Sequence, residues 1–213
     1  MRSPVYFLIF STSFLVVPQV SSAETCRDGV DNVFTVNSFG NDNLPVTVRD
    51  VVIRVNDIYN KPSCHNNKVN IRMPGYFHIM GGQVIVPRDF DLINRRAIVR
   101  ATISVGNKVI CDKGAGGMFF IPNKLCRFRI STFVPPEICG VLQRKGTHTL
   151  EELWREVHFN STQELPPSPS FLGISLLDIL KGEYRIKLEL TIDGERVLRL
   201  TMPSDNAPMQ WGL

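Results

Sequence analysis

Little in this sequence points to catalysis or metal binding. No two cysteines stand two to four residues apart, and Cys64-His65 has no matching pair, so the ligand spacings of structural zinc are missing. There is no G-x-S-x-G and no H-E-x-x-H. The four histidines, His65, His78, His148 and His158, sit in unlike contexts and read as surface or hydrogen-bonded residues. Lys113-Gly114-Ala115-Gly116-Gly117 superficially resembles a phosphate loop. It lacks the trailing Gly-Lys-Ser/Thr and a following helical pattern, and reads as a flexible turn. The motif-bearing enzyme classes are thereby excluded, whereas a triad dispersed over loops leaves no such trace. The expectation is a non-catalytic protein without metal or other cofactor.

An excess of charge of one sign is also missing. The formal net charge of +4 is too mild for a nucleic-acid partner, and Arg95, Arg96, Arg100, Arg127 and Arg129 are spread singly along expected strands. They read as a solvated sheet face. No repeat and no linker divides the chain, which reads as one domain. After Arg2, the 13-residue apolar run Val5 to Val17 is shorter than the about 20 residues a bilayer requires. It is followed by Pro18 and Ser21-Ser22-Ala23. Positive, apolar, then small-x-small is the pattern of a secretory leader, residues 1–23, cleaved after Ala23. No later segment is apolar enough to cross a membrane. A soluble mature domain over residues 24–203 with a flexible tail over 204–213 is expected, formed in an oxidising compartment.

Five cysteines are present, Cys26, Cys64, Cys111, Cys126 and Cys139. In a secreted chain they read as two disulfides with one thiol left over, or as an intermolecular bridge, and the pairing stays open. Asn160-Ser161-Thr162 is a glycosylation acceptor and places Asn160 on a surface loop.

The strongest pattern lies in Gly182 to Met202. Tyr184, Ile186, Leu188, Leu190 and Ile192 alternate with polar residues, and Leu198, Leu200 and Met202 repeat the alternation after Asp193-Gly194. Parity favours a three-residue loop, Ile192 to Gly194 with Gly194 left-handed, setting Leu188 opposite Leu198 and Ile186 opposite Leu200. Further strands are expected over Pro45–Val55, Lys68–Met73, Gln83–Val86, Arg96–Val105, Lys108–Cys111 and Leu125–Ser131, with Gly106-Asn107 as a second tight turn. Short strands joined by hairpins predict an all-β sandwich. One helix interrupts: Thr149 and Glu152 form a capping box, and Leu150, Leu153, Trp154 and Val157 share a face. Trp154 is read as buried on that face.

Apolar residues also stand where loops are expected. Met118-Phe119-Phe120-Ile121-Pro122 follows the glycine-rich turn, and Phe171-Leu172-Gly173-Ile174-Ser175-Leu176-Leu177 follows a proline-rich stretch. They either close the ends of the core or line a cavity for a hydrophobic ligand. Burying an acyl chain gains about 0.8 kcal/mol per methylene, so around ten methylenes suffice without any polar signature. The expected lining or rim is Phe119, Phe120, Ile121, Trp154, Phe171, Leu172, Ile174, Leu176 and Leu177, with Ile186, Leu188 and Leu190 of the hairpin behind it.

Leu125-Cys126-Arg127-Phe128, then Pro135-Pro136-Glu137-Ile138-Cys139, Gly146 to Leu150, an apolar loop and the hairpin Leu180 to Leu200 follow one another in an order that resembles the ML (lipid-recognition) family, in its ganglioside-activator branch. The resemblance covers roughly Arg96 to Met202, and Cys26 to Ile79 loosely. It implies an immunoglobulin-like two-sheet antiparallel sandwich with an apolar cavity between the sheets. It also implies a secreted or lysosomal carrier of glycolipid, phospholipid or sterol, with transient membrane contact and a lipid-processing enzyme or receptor as partner. The family commonly bridges an N-terminal cysteine to the last strand, where this chain has Val197-Leu198-Arg199-Leu200. The resemblance therefore leaves Cys26 as the odd thiol and Cys64, Cys111, Cys126 and Cys139 as the disulfide candidates. The alternative is a secreted immunoglobulin-like interaction module with a solid core and a protein partner; a hydrolase ranks third.

Overall fold

The computed structural model describes residues 26–39, 43–93, 97–168, 170–171, 174–175 and 180–213, with only the backbone described for 170–171 and 174–175. The expected leader, residues 1–23, lies outside the described residues. The chain is mostly β. In order come β1 (Val33–Ser38), β2 (Thr47–Asp57), β3 (Cys64–His65), β4 (Lys68–Ile71) and β5 (Gly75–Val86). The next group is β6 (Ala97–Val105), β7 (Lys108–Asp112), β8 (Ala115–Gly116), α1 (Asn123–Cys126) and β9 (Arg127–Arg129). Then follow α2 (Pro136–Leu142), β10 (Gly146–Thr149), α3 (Leu150–Val157) and β11 (Thr162–Leu165). The ribbon β12 (Ser170–Phe171) and β13 (Ile174–Ser175) precedes β14 (Gly182–Ile192), β15 (Glu195–Met202) and β16 (Met209–Trp211).

β14 forms as its alternation dictates, with Tyr184, Ile186, Leu190 and Ile192 buried and Glu183, Arg185 and Lys187 exposed. It is hydrogen-bonded on both sides, to β6 and to β15. The expected three-residue loop does not occur. Asp193 and Gly194 take φ of 49° and 89° and close a two-residue turn between Ile192 and Glu195, the conformation that Asp-Gly favours. A bulge then restores parity: Thr191 opposes Arg196 and Leu190 opposes Leu198, leaving Val197 as the extra residue. Leu188 consequently faces Leu200 and Ile186 faces Met202, each shifted by two from expectation, with the aliphatic face intact.

The larger sheet is mixed and curled, and β1 is its joint. Val33 to Val36 pair with β2, while Asn37 and Ser38 pair with β15. One limb runs through β2 and β5 to β10 and β11; the other runs through β15, β14 and β6. Residues of both limbs pack together, as Phe34, Val55, Tyr184 and Ile186 do in one buried cluster. The expected flexible tail is instead part of this sheet. β16 pairs antiparallel with β14 and parallel with β4, burying Met209 and Gln210. Gln210 and Trp211 oppose Asn70 and Ile71 there, so the tail supplies backbone partners that β4 needs.

β2 and β5 change parity together. Val46 and Val48 face inward before Asp50 (φ 52°), and Val51, Ile53 and Val55 after it. On β5 the inward set passes from Phe77 and Ile79 to Val84 and Val86; the pairing register shifts on both sides of Gly81, which opposes Val52, and Gly82 takes φ 119°. A β-carbon on Gly82 would lie 2.5 Å from Val51 Cα, a contact no side chain tolerates.

Three helices are present among the described residues, against the single one expected. α3 has the expected start, with Thr149 Oγ1 accepting from Glu152 N at 3.3 Å. α2 begins with Pro136 in its first turn and Glu137 beside it, groups suited to a helix N-terminus. The strand expected over Leu125–Ser131 is cut to three residues, because α1 ends at Cys126 and a 3-10 turn takes Ile130–Thr132.

Gly82→Ala is expected to lower stability by about 2 to 4 kcal/mol, combining the strained φ with the Val51 collision. Urea melts check this, and a loss below about 0.5 kcal/mol would mean the two backbones are not held in contact. Tyr184 gives a pH test. Its hydroxyl donates to the Leu180 carbonyl, and burial pushes its pKa from 10.0 to about 12. The folded state keeps the proton that the unfolded state releases, so stability is full below pH 10 and falls as pH rises from 10 to about 12. Tyr184→Phe should remove that part of the alkaline loss.

Candidate apolar cavity

Part of the inward face of β14 borders a pocket. Leu188 touches all three buried clusters yet remains only partly buried, because it opens onto a cavity of about 660 Å³. That volume lies within the roughly 300–1,000 Å³ of small-molecule sites. One wall comes from β6, β14 and β15, through Val99, Leu188, Leu190, Leu198 and Leu200. Phe77 of β5 and Leu165 of β11 belong to the lining too. Met73, Met202 and Trp211 line it as well. Phe128 reaches it from β9, whose flanking Arg127 and Arg129 are exposed, as strand alternation requires. Phe133 stacks edge-on against Phe128 with centroids 4.7 Å apart and is 71% exposed. Gln163 and Glu164 are the polar residues among the lining.

A second cavity of about 270 Å³ adjoins the first. Its floor is β2 and β5, through Val51, Ile79, Gly81 and Val84, and its roof is α2 and α3, through Ile138, Leu142, Leu150 and Leu153. Phe133, Val134 and Gln163 line both cavities. The buried His148 also faces the smaller one, but its ring is occupied. Nε2 donates to the Arg144 carbonyl at 2.7 Å, and Nδ1 lies 3.0 Å from Glu152 Oε2.

The expected lining residues divide. Leu188 and Leu190 line the larger cavity, whereas Ile186 is buried in the adjacent cluster. Trp154 is 62% exposed, contrary to the burial expected of it. It sits at the edge of the α3 stripe, whose Leu150 and Leu153 take the inward positions. The segment 118–121 also splits. Ile121 is buried and Phe120 partly buried against the Cys111–Cys126 bridge, while Phe119 is fully exposed. The glycines before it are close-packing positions rather than a flexible turn. A β-carbon on Gly116 would lie 1.9 Å from the Ile121 carbonyl oxygen, and one on Gly117 would lie 2.4 Å from that of Val109. Phe171 and Ile174 pair with each other in the β12–β13 ribbon, and Leu172, Leu176 and Leu177 lie outside the described residues.

The cysteines pair as Cys26–Cys64 and Cys111–Cys126, with Cα separations of 5.7 and 5.5 Å. The odd thiol is Cys139, not Cys26. Cys139 faces inward from α2 into the cluster containing Leu190 and Val197, with Val134 O 3.6 Å from its sulfur. Burial, reinforced by Glu137, pushes its pKa up. Asn160 is exposed on the turn entering β11, its side chain accepting from Thr162 N at 2.9 Å. Among the described residues no cluster of three histidine, cysteine or carboxylate side chains is placed to hold a metal. No helix among them is long and apolar enough to cross a membrane.

Non-reducing peptide maps should therefore show the two stated bridges. Iodoacetamide should leave Cys139 unlabelled in the native protein and label it in urea; rapid native labelling would contradict its burial. No protein-family model matches the chain, and no curated protein matches it.

Proposed function

We propose that this protein is a non-catalytic lipid carrier or presenter of the ML type, an immunoglobulin-like two-sheet sandwich holding an acyl chain or (glyco)lipid between its sheets. The observation that carries this reading is the 660 Å³ cavity, lined from both limbs of the sheet almost wholly by aliphatic and aromatic side chains. A solid core would bring Leu188, Leu198 and Leu200 to full burial, as it does Ile186 and Val197, and here they stay partly open. Two disulfides fit an oxidising compartment, so the proposed location is extracellular or the lysosomal lumen.

Contact with a lipid surface belongs to the same reading. The segment 106–129 carries Lys108, Lys113, Lys124, Arg127 and Arg129 against Asp112 alone, and Phe119 projects from it. Gly114 brings Arg100 and Arg127 together beside Lys113, since a β-carbon there would lie 3.1 Å from Arg100 Cγ and 3.4 Å from Arg127 Cβ. Cations in the same segment as an exposed aromatic ring suit an anionic bilayer.

Leu200→Trp tests the carrier. If the space is a ligand site, the indole fills it: stability should change by less than about 1 kcal/mol, and displacement of a fluorescent fatty acid should weaken at least about tenfold, on the order of two methylenes of lost burial. If the core is solid, the added volume should cost about 1 to 3 kcal/mol and the wild type should take up no fatty acid, which favours the interaction module.

A further inference from the structure

The limb built on β6, β14 and β15 turns Val99, Ala101, Tyr184 and Ile186 into the core, so alternation turns their neighbours outward. Those outward neighbours are mostly cations. Register sets Arg127 of β9 opposite Arg100 of β6, Arg100 opposite Glu189 of β14, and Glu189 opposite Arg199 of β15. One row of three arginines and a single acid thus crosses four strands, about 14 Å at ordinary strand spacing. Along β14 the same face continues through the exposed Lys187 and Arg185, and β9 adds the exposed Arg129.

The acid in this row is already taken. Glu189 Oε2 lies 3.2 Å from Arg196 Nε and 3.7 Å from Arg199 Nη2. Arg100, Arg127, Arg129, Arg185 and Lys187 enter no ion pair among the described residues. Like charges directly opposite in a sheet are destabilising, and Arg100 with Arg127 is such a pair. A merely solvated face mixes the two signs. Here a chain of net charge +4 gathers its unpaired cations on one side of one sheet.

Charge complementarity calls for a polyanion. None of the exposed large hydrophobic side chains belongs to β6, β9, β14 or β15, so this face has nothing to insert among acyl chains. Thr102 and Ser104 stand on the outward side of β6 and offer hydroxyls instead. Guanidinium forks match tetrahedral oxyanions and bind them bidentately.

We infer that the outer face of β9, β6, β14 and β15 is a docking surface for a sulfated polysaccharide, whose sulfates are received by Arg127, Arg100, Lys187 and Arg185. The surface lies on the opposite side of the sheet from Leu188, Leu190 and Leu198, which line the cavity. The inference therefore stands whether or not the cavity holds lipid, and it takes only the extracellular or lysosomal location from the carrier reading. Arg185 and Lys187 also lie outside the segment 106–129, so this surface can be altered without touching Phe119 or the lysines beside it.

Arg100→Thr/Lys187→Thr removes two unpaired cations and leaves strand-forming side chains in their places. Lys61→Thr/Lys145→Thr removes two exposed cations from elsewhere and matches the change in net charge. The purified protein is titrated with heparin, with desulfated heparin and with phosphatidylserine vesicles at about 0.15 M salt. Wild type should bind heparin and not the desulfated chain. The face variant should bind heparin at least about tenfold more weakly and the control variant within about twofold of wild type, as expected for lost charge-assisted hydrogen bonds at the face alone. Equal loss in both variants would reduce the effect to net charge and overturn the surface, and so would equal affinity for the desulfated chain. If vesicles bind and heparin does not, the face belongs to a membrane and the inference fails; it fails too if wild type binds neither. Arg129→Thr/Arg185→Thr carries the same expectation and decides the matter should the first variant not fold.

Discussion

The contact between the Val51 backbone and Gly82 governs how this interior is divided. Both β2 and β5 bulge at that level, and each bulge exchanges the inward and outward residues of its strand. On one side of the crossing, Phe77 faces the limb built on β14 and β15. On the other, Val84 and Val86 lie beneath the β10, α2 and α3 region. A continuous alternation through β5 would send one half of its apolar side chains into water. The paired bulge lets a single long strand floor two different compartments.

The sequence pattern was informative where one strand face is wet. β14 and β15 alternate apolar and charged residues, so their existence, their inward set and the place of the hairpin were legible, while the two-residue turn was not. The register was not, because the bulge at Val197 leaves no mark in composition: valine is an ordinary strand residue wherever it sits. The first half of β5 was missed altogether. Tyr76-Phe77-His78-Ile79-Met80-Gly81-Gly82 has no clear period, since Met80 projects outward and two glycines interrupt it. The start of α2 did carry a signal in Pro135-Pro136-Glu137, a proline at the first helical turn followed by an acid.

The cavity was harder to read. Its lining is gathered from β5, β6, β9, β11, β14, β15 and β16, mostly one or two residues from each. Apolar loops seemed the natural source of such a lining, yet in the segment 118–121 most of the hydrophobicity goes to covering the Cys111–Cys126 bridge. That bridge closes a 15-residue span, a constraint worth about 3 kcal/mol in the chain-entropy picture. Cysteine pairing was likewise settled by placement rather than spacing. Cys64 on β3 meets Cys26 across 38 residues, while Cys139 is turned into the core by the helix that carries it.

The position of Cys139 bears on the order of events during oxidative folding. Thiol–disulfide exchange requires a thiolate that can reach a sulfur, and in the folded chain Cys139 is enclosed and its ionisation suppressed. Before α2 docks, the same thiol competes equally with its four neighbours for a partner. Docking of seven residues of helix therefore acts as a lock on the covalent layout. With Cys139 enclosed, the chain itself has no accessible thiol left among its described cysteines to reshuffle Cys26–Cys64 and Cys111–Cys126.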